Sequence, residues 1–164
     1  MRMRNSGFTL MEMITVMAIA SLITIASAPA FMNFTRTQRI RGAAGNIASA
    51  LNSARRFAIT LNEPRDVHLY TNDYDPDPDD IKNSFRFMGT EEAMERKLLH
   101  RTVRIESVSG GEEPESEVFK FEFTPRGTAT QGGAITLMDT GDRSIDITIL
   151  ASTGRVRVGD LQEP

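Results

Sequence analysis

The side chains able to do chemistry are few, and most of their usual partners are missing. The chain has no cysteine, which excludes disulfides, thiolate nucleophiles, Cys-ligated zinc and iron–sulfur clusters. His68 and His100 are the only histidines, too few for a His-based metal centre. The sequence contains no P-loop, no nucleophile elbow and no HExxH, so no enzyme is expected. Three groups of charged residues stand out instead. Glu12 is a single carboxylate inside an otherwise uncharged stretch from Phe8 to Thr35. Asp73, Asp75, Asp77, Asp79 and Asp80 crowd a short segment broken by Pro76 and Pro78. Arg155 and Arg157 stand two apart after Gly154 near the C-terminus.

The acidic segment offers oxygen ligands of the kind calcium takes. It fails as an EF-hand: with Asp73 first, Pro78 falls where glycine is needed and Ser84 where glutamate is needed. Calcium over Asp73–Asp80 is a weaker reading than a solvated, proline-stiffened loop. No metal site and no cofactor are assigned. Arg155 and Arg157 share one face of a strand, and guanidinium groups bind phosphates bidentately. That makes them candidates for contact with DNA or with a protein partner. The competing reading is a glycine turn followed by an ordinary strand. Glu112-Glu113 sits beside glycines and reads as solvated loop.

The elements that hold these groups are set by hydropathy. Residues 13–35 form an uncharged run of 23 residues, and a helix over 8–34 is about 40 Å long, more than a bilayer core requires. Three readings compete. A secretory signal peptide would use Ala26-Ser27-Ala28 as its cleavage site, but Glu12 interrupts its apolar segment. The second is a plain signal anchor. The third accounts for more residues. Gly7-Phe8-Thr9-Leu10-Met11-Glu12 followed by an apolar helix with Pro29 resembles the processing site of type IV pilins and type II secretion pseudopilins.

That resemblance implies a leader, residues 1–7, removed after Gly7 by a prepilin peptidase/methyltransferase, and N-methylation of Phe8. It implies that Glu12 pairs with the terminal amine of a neighbouring subunit during assembly, and that residues 8–34 form a membrane and assembly helix. Physical chemistry agrees with a paired Glu12: a deep, unpaired carboxylate costs about 2.5–3.5 kcal/mol on insertion scales. Pro29, lacking an N–H, should break or kink the helix nearby. Arginines flank both ends of the span (Arg2 and Arg4; Arg36, Arg39 and Arg41), so charge does not orient it. An inner-membrane, single-pass anchor with a periplasmic globular domain over 35–164 follows from the resemblance alone. So do the expected partners: other pseudopilins in a filament, an inner-membrane assembly platform, and lipid before assembly.

Beyond the span, Ile40, Ala44, Ile47, Leu51, Ala54, Ala58 and Leu61 form one apolar stripe. They predict a single helix over about 10–62, flexible at Gly42 or Gly45, stopped by Asn62-Glu63-Pro64. After Pro64 the period changes to two. Strands are predicted at 66–70, 85–88, 102–108, 118–123, 134–138, 145–150 and 155–158, with a short helix over 91–99. The fold class is α+β, a long helix on an antiparallel sheet, pilin-like in the terms of the resemblance. Residues 36–164 carry 17 basic and 21 acidic side chains, net −4, a mildly acidic domain. Ser152-Thr153-Gly154-Arg155-Val156-Arg157, the helix segment Ala54-Arg55-Arg56-Phe57-Ala58-Ile59 and the turn Phe123-Thr124-Pro125-Arg126-Gly127 resemble the H-type minor pseudopilins and the related minor pilins of DNA uptake. In those relatives the C-terminal arginines contribute to DNA binding.

Overall fold

The computed structural model describes residues 8–71, 83–88, 97–111 and 118–164. The Asp73–Asp80 loop, residues 91–96 and Glu112-Glu113 lie outside them. One helix, α1 (Leu10–Leu61), is followed by β1 (Arg65–Tyr70), β2 (Ser84–Met88), β3 (Lys97–Leu98), β4 (Val103–Gly110), β5 (Val118–Phe123), β6 (Gly133–Asp139), β7 (Ser144–Leu150) and β8 (Arg155–Val158). The chain divides into two compact units, Met1–Thr37 and Gln38–Pro164.

All seven predicted strands form, because their period-2 apolar rows each have a core to face. Ile145, Ile147 and Ile149 of β7 are buried, as are Phe121 and Phe123 of β5. The pairing is antiparallel throughout, but the strands divide into two four-stranded sheets rather than one. Their orders are β3-β2-β1-β5 and β4-β6-β7-β8. Asn83 ties the two together at the start of β2. Its backbone adopts a left-handed φ of 54°, its carbonyl accepts the Leu99 N–H, and its side-chain Oδ1 accepts the Ile105 N–H of β4 at 2.8 Å. The helix predicted over 91–99 is not found in its described part. Lys97 and Leu98 instead pair with Phe85 and Ser84 as the short edge strand β3.

Within the Gln38–Pro164 unit, the helix stripe packs as its spacing predicts. Ile40, Ala44, Ile47, Leu51, Ala54 and Ala58 are fully buried, joined by Ala43 and Ala48. Alanine dominates this face because a side chain of one carbon lets the helix axis approach the sheets closely. Leu61 corrects the expectation: it is exposed, since it is the last helical residue and the chain turns away there. Asn62 takes a left-handed φ of 54° and the Glu63 N–H returns to the Ala58 carbonyl at 3.2 Å. This is a Schellman termination, with Asn62 in the position usually held by glycine. Gly42 and Gly45 do not interrupt α1.

The β6–β7 connection carries a titration with a readable consequence. Asp139 is only 3% exposed. Its Oδ1 accepts the N–H groups of Gly141 at 2.8 Å and Arg143 at 3.2 Å, and its Oδ2 accepts Nε of Arg143 at 3.0 Å as well as Nη2. Burial pushes the carboxyl pKa up, but the Arg143 guanidinium and the two backbone donors outweigh it and hold Asp139 below the usual carboxylate range. A depressed folded pKa contributes stability that is present above the unfolded value of about 3.9 and is lost as pH falls through the folded one. Asp139→Asn is therefore expected to cost about 1–3 kcal/mol at neutral pH. It should also flatten the dependence of the unfolding midpoint on pH below about 4, read from thermal melts across that range.

Candidate anchor and assembly site

The first turn of α1 places the candidate assembly residues. Thr9 is the N-cap: its Oγ1 accepts the Glu12 N–H and its carbonyl accepts the Met13 N–H, both at 3.2 Å. Glu12 therefore sits in the first turn, where the helix dipole favours a carboxylate, and its side chain is exposed. Phe8 lies immediately before the cap and is 76% exposed. Gly7 is outside the described residues. The role of Thr9 was legible in the Thr-x-x-Glu spacing, which is that of a capping box, yet attention to Glu12 alone passes over it.

The rest of the span is apolar and uncovered within the chain. Every large apolar side chain from Phe8 to Phe34 is at least 50% exposed. Each such side chain is stabilised by about 1.5–3 kcal/mol on leaving water, so the segment as a whole requires an apolar environment. Its hydroxyl groups do not oppose this. Those of Thr15, Ser21, Thr24 and Ser27 each donate to a carbonyl of their own helix at 2.8 Å. A hydroxyl satisfied internally loses little on transfer out of water. Pro29 does not break the helix: α1 is continuous through it. What Pro29 removes is the N–H that would have served the Ile25 carbonyl. This helix is long and apolar enough to cross a membrane.

Comparison with known proteins bears on both ends of this arrangement. Residues 2–28 match the family model of the prokaryotic N-terminal methylation motif. The fold is similar to that of the type IV minor pilin FimU of Pseudomonas aeruginosa. One crystal form matches with a TM-score of 0.54 at 16% identity, covering 77% of this chain and 92% of that one. A second crystal form gives 0.50 at 15% identity, covering 73% and 92%. The minor pseudopilin EpsH from the type 2 secretion system of Vibrio cholerae matches at 0.49 and 12% identity, covering 74% and 96%. No curated protein matches the chain in sequence. The chain carries a prokaryotic N-terminal methylation motif and has a pilin-like fold. The motif marks it as membrane-anchored, a substrate for prepilin processing and a subunit that assembles with other pilin-like subunits.

In this pilin-like chain, three segments that are far apart in sequence converge at the end of the second sheet. The turn at Gly127 is closed by the Gly127 N–H on the Thr124 carbonyl at 2.8 Å, with Pro125 in its second position. Arg55, from α1, donates Nε to the Gly127 carbonyl at 2.8 Å. Gly154 lies against the same carbonyl: a Cβ placed on it would sit 2.2 Å from that oxygen. Its φ is +59°, and its N–H returns to the Leu150 carbonyl at 2.7 Å. The helix, turn and C-terminal segments singled out in the sequence are thus parts of one contact, which the sequence could not show. Arg55 and Gly154 lock the β7–β8 hairpin to the helix, and this gives the glycine before Arg155 a structural reason.

Arg155 and Arg157 are both exposed and stand on one face of β8, opposite Leu150 and Thr148 of β7. Neither forms an ion pair with a described residue. The two histidines are occupied locally: His68 Nε2 meets Asp66 Oδ2 at 2.8 Å, and His100 Nδ1 meets Thr102 Oγ1 at 2.8 Å. Among the described residues no group of three or more His, Asp or Glu side chains is placed to hold a metal ion. A groove of about 320 Å³ opens between α1 and β2–β3, lined by Ser49, Ser53, Phe57, Phe85, Phe87 and Lys97 among others. Its Phe57 and Phe87 rings pack at 5.7 Å.

Proposed function

We propose that the chain is a minor pseudopilin, of the H type, in a type II secretion pseudopilus. Residues 1–7 are the leader, cut after Gly7. Phe8 becomes the N-methylated terminus. Residues 8–34 hold the protein in the inner membrane until it joins the filament, and residues 35–164, including the second half of the helix, stand in the periplasm. Glu12 docks on the amine of a neighbouring subunit, and Pro29 leaves one weakened rung in the helix. The observation that carries this reading is the exposed apolar helix whose one carboxylate lies a turn after Phe8 and whose cap is already in place at Thr9. Cleavage before Phe8 would leave that cap intact and deliver a positive amine next to it. Such an amine opposes the helix dipole unless a carboxylate answers it, and Glu12 is in position to do so. The pattern at Gly154-Arg155-Val156-Arg157 supports the H type. The chain is read as a structural subunit rather than an enzyme.

A second reading is a minor type IV pilin that binds DNA for uptake. It is favoured by two exposed arginines on one face without an acidic partner among the described residues. The test of the main reading is the mass of the N-terminal peptide from native membranes. The expected peptide begins at Phe8 and is one methyl group heavier than unmodified. A peptide beginning at Met1, or near Pro29, overturns the filament reading. In the same strain, deletion of the gene is expected to stop secretion across the outer membrane; normal secretion with lost DNA uptake favours the second reading.

A further inference from the structure

We propose that the free edge of β8 is a strand-addition site for an extended, acidic segment of another protein subunit. β8 is an edge strand, paired only with β7. The pairing parity fixes which way its main chain points. The Gly159 N–H bonds to the Asp146 carbonyl at 2.7 Å, and the register runs Thr148↔Arg157 and Leu150↔Arg155 with Ile149↔Val156 and Ile147↔Val158 between them. In an antiparallel ladder, hydrogen-bonded pairs alternate with non-bonded ones. Arg155 and Arg157 therefore belong to the pairs that bond to β7. Val156 and Val158 turn their N–H and C=O groups outward, where no described strand meets them.

The side chains give this edge two different rows. Val156 and Val158 lie on the core side, opposite the buried Ile149 and Ile147, and Val158 is 39% exposed although it faces that way. Arg155 and Arg157 lie on the outer side and are exposed. An added strand would extend both rows: apolar residues beside the valines, and carboxylates beside the arginines. Cross-strand pairs of opposite charge and apolar pairs each stabilise a sheet. A second copy of β8 is a poor occupant, because it would set arginine against arginine. Duplex DNA is also a poorer one. Its phosphates accept from N–H groups but donate nothing to the outward C=O groups, Asp146 and Asp160 stand close in sequence and register, and the domain is net −4. On an acidic protein, a basic edge with unpaired main-chain groups suits an acidic strand.

The proposal does not depend on how the N-terminus is processed, so it is tested on the full chain in detergent. The probe is a fluorescein-labelled peptide alternating glutamate and valine, followed by anisotropy up to about 1 mM at low salt. Two variants separate its parts. Val156→Pro removes an outward donor without touching the β7 ladder, a substitution that edge strands tolerate. Arg155→Glu with Arg157→Glu reverses the outer row. Each is expected to weaken binding about tenfold or more, and a lysine–valine peptide is expected not to bind. Peptides N-methylated at alternate positions provide a check that leaves the protein unaltered: one of the two registers should lose binding. No binding of the glutamate–valine peptide overturns the proposal. So does binding unchanged by Val156→Pro and by both N-methylated registers, which would mark charge attraction alone. A labelled DNA duplex that binds through the arginines and is indifferent to Val156→Pro overturns it in favour of nucleic acid.

Discussion

Replacing Glu12 by alanine is expected to remove the chain from the filament while leaving it in the membrane. The cap geometry makes this substitution unusually clean. Thr9 holds the Glu12 backbone N–H, not its carboxylate, so alanine keeps the start of α1 intact. Insertion should become easier, because a carboxylate at membrane depth costs about 2.5–3.5 kcal/mol. On the proposed assembly role, what is lost is the partner for a neighbouring amine, and removing one member of a buried charge pair costs about 3–5 kcal/mol. That corresponds to at least a hundredfold loss of incorporation. The measurement is the fraction of the chain recovered in sheared filaments against the fraction in membranes. Wild-type incorporation of the alanine variant would remove Glu12 from the assembly mechanism, and Glu12→Gln should behave as alanine does if charge rather than shape is what counts.

Gly154→Ala should be the most destabilising single-methyl change in the globular unit's C-terminal hairpin. Two effects add. A φ of +59° costs an alanine about 1–2 kcal/mol. The new Cβ would also stand 2.2 Å from the Gly127 carbonyl oxygen, which is backbone and is itself held by Arg55 at 2.8 Å. Relief would require the turn at Gly127 to move off the helix, leaving Arg55 without its acceptor, at a further cost of about 1–3 kcal/mol. The total is about 3 kcal/mol or more, a fall in the unfolding midpoint of about 10 °C or more for a domain of this size. Thermal challenge followed by limited proteolysis reads it, since the exposed β7–β8 hairpin is cut when released. A midpoint within a few degrees of wild type would mean that the lock is not needed. Arg155→Ala, whose side chain forms no hydrogen bond with that carbonyl, should leave the midpoint almost unchanged, which separates the glycine's structural part from any binding by the arginines.

Much of the fold was legible because period and composition carry it directly. The strands β5 and β7 were legible because their alternation is regular, and residues which that alternation sets on one face, Phe121 and Phe123, and Ile145, Ile147 and Ile149, are buried. The α1 stripe from Ile40 to Ala58 followed from steps of three and four. Leu61 was misjudged because periodicity has no knowledge of where the supporting sheet ends. β3 was misjudged as helix because its two residues are strand only through pairing with Ser84 and Phe85. A pairing of that kind has no local signature. For the same reason the division into two sheets was invisible: strand partners are chosen by contacts distant in sequence.

The functional end shows the same division. The sequence by itself determined that the chain has an apolar N-terminal helix with a single carboxylate at Glu12, preceded by a stretch around Gly7 and Phe8 that resembles a pilin processing site. Those properties live in consecutive residues and are read from their order, whatever the rest of the chain does. Only the tertiary structure decided that Arg55, Gly127 and Gly154 meet, that Arg155 and Arg157 stand exposed on an edge strand, and that Val156 turns its main chain outward. Each of those facts depends on which strand lies beside which, and on the parity of a hydrogen-bonded ladder. Such properties belong to pairs of residues brought together by burial of the core, and no single stretch of sequence contains them.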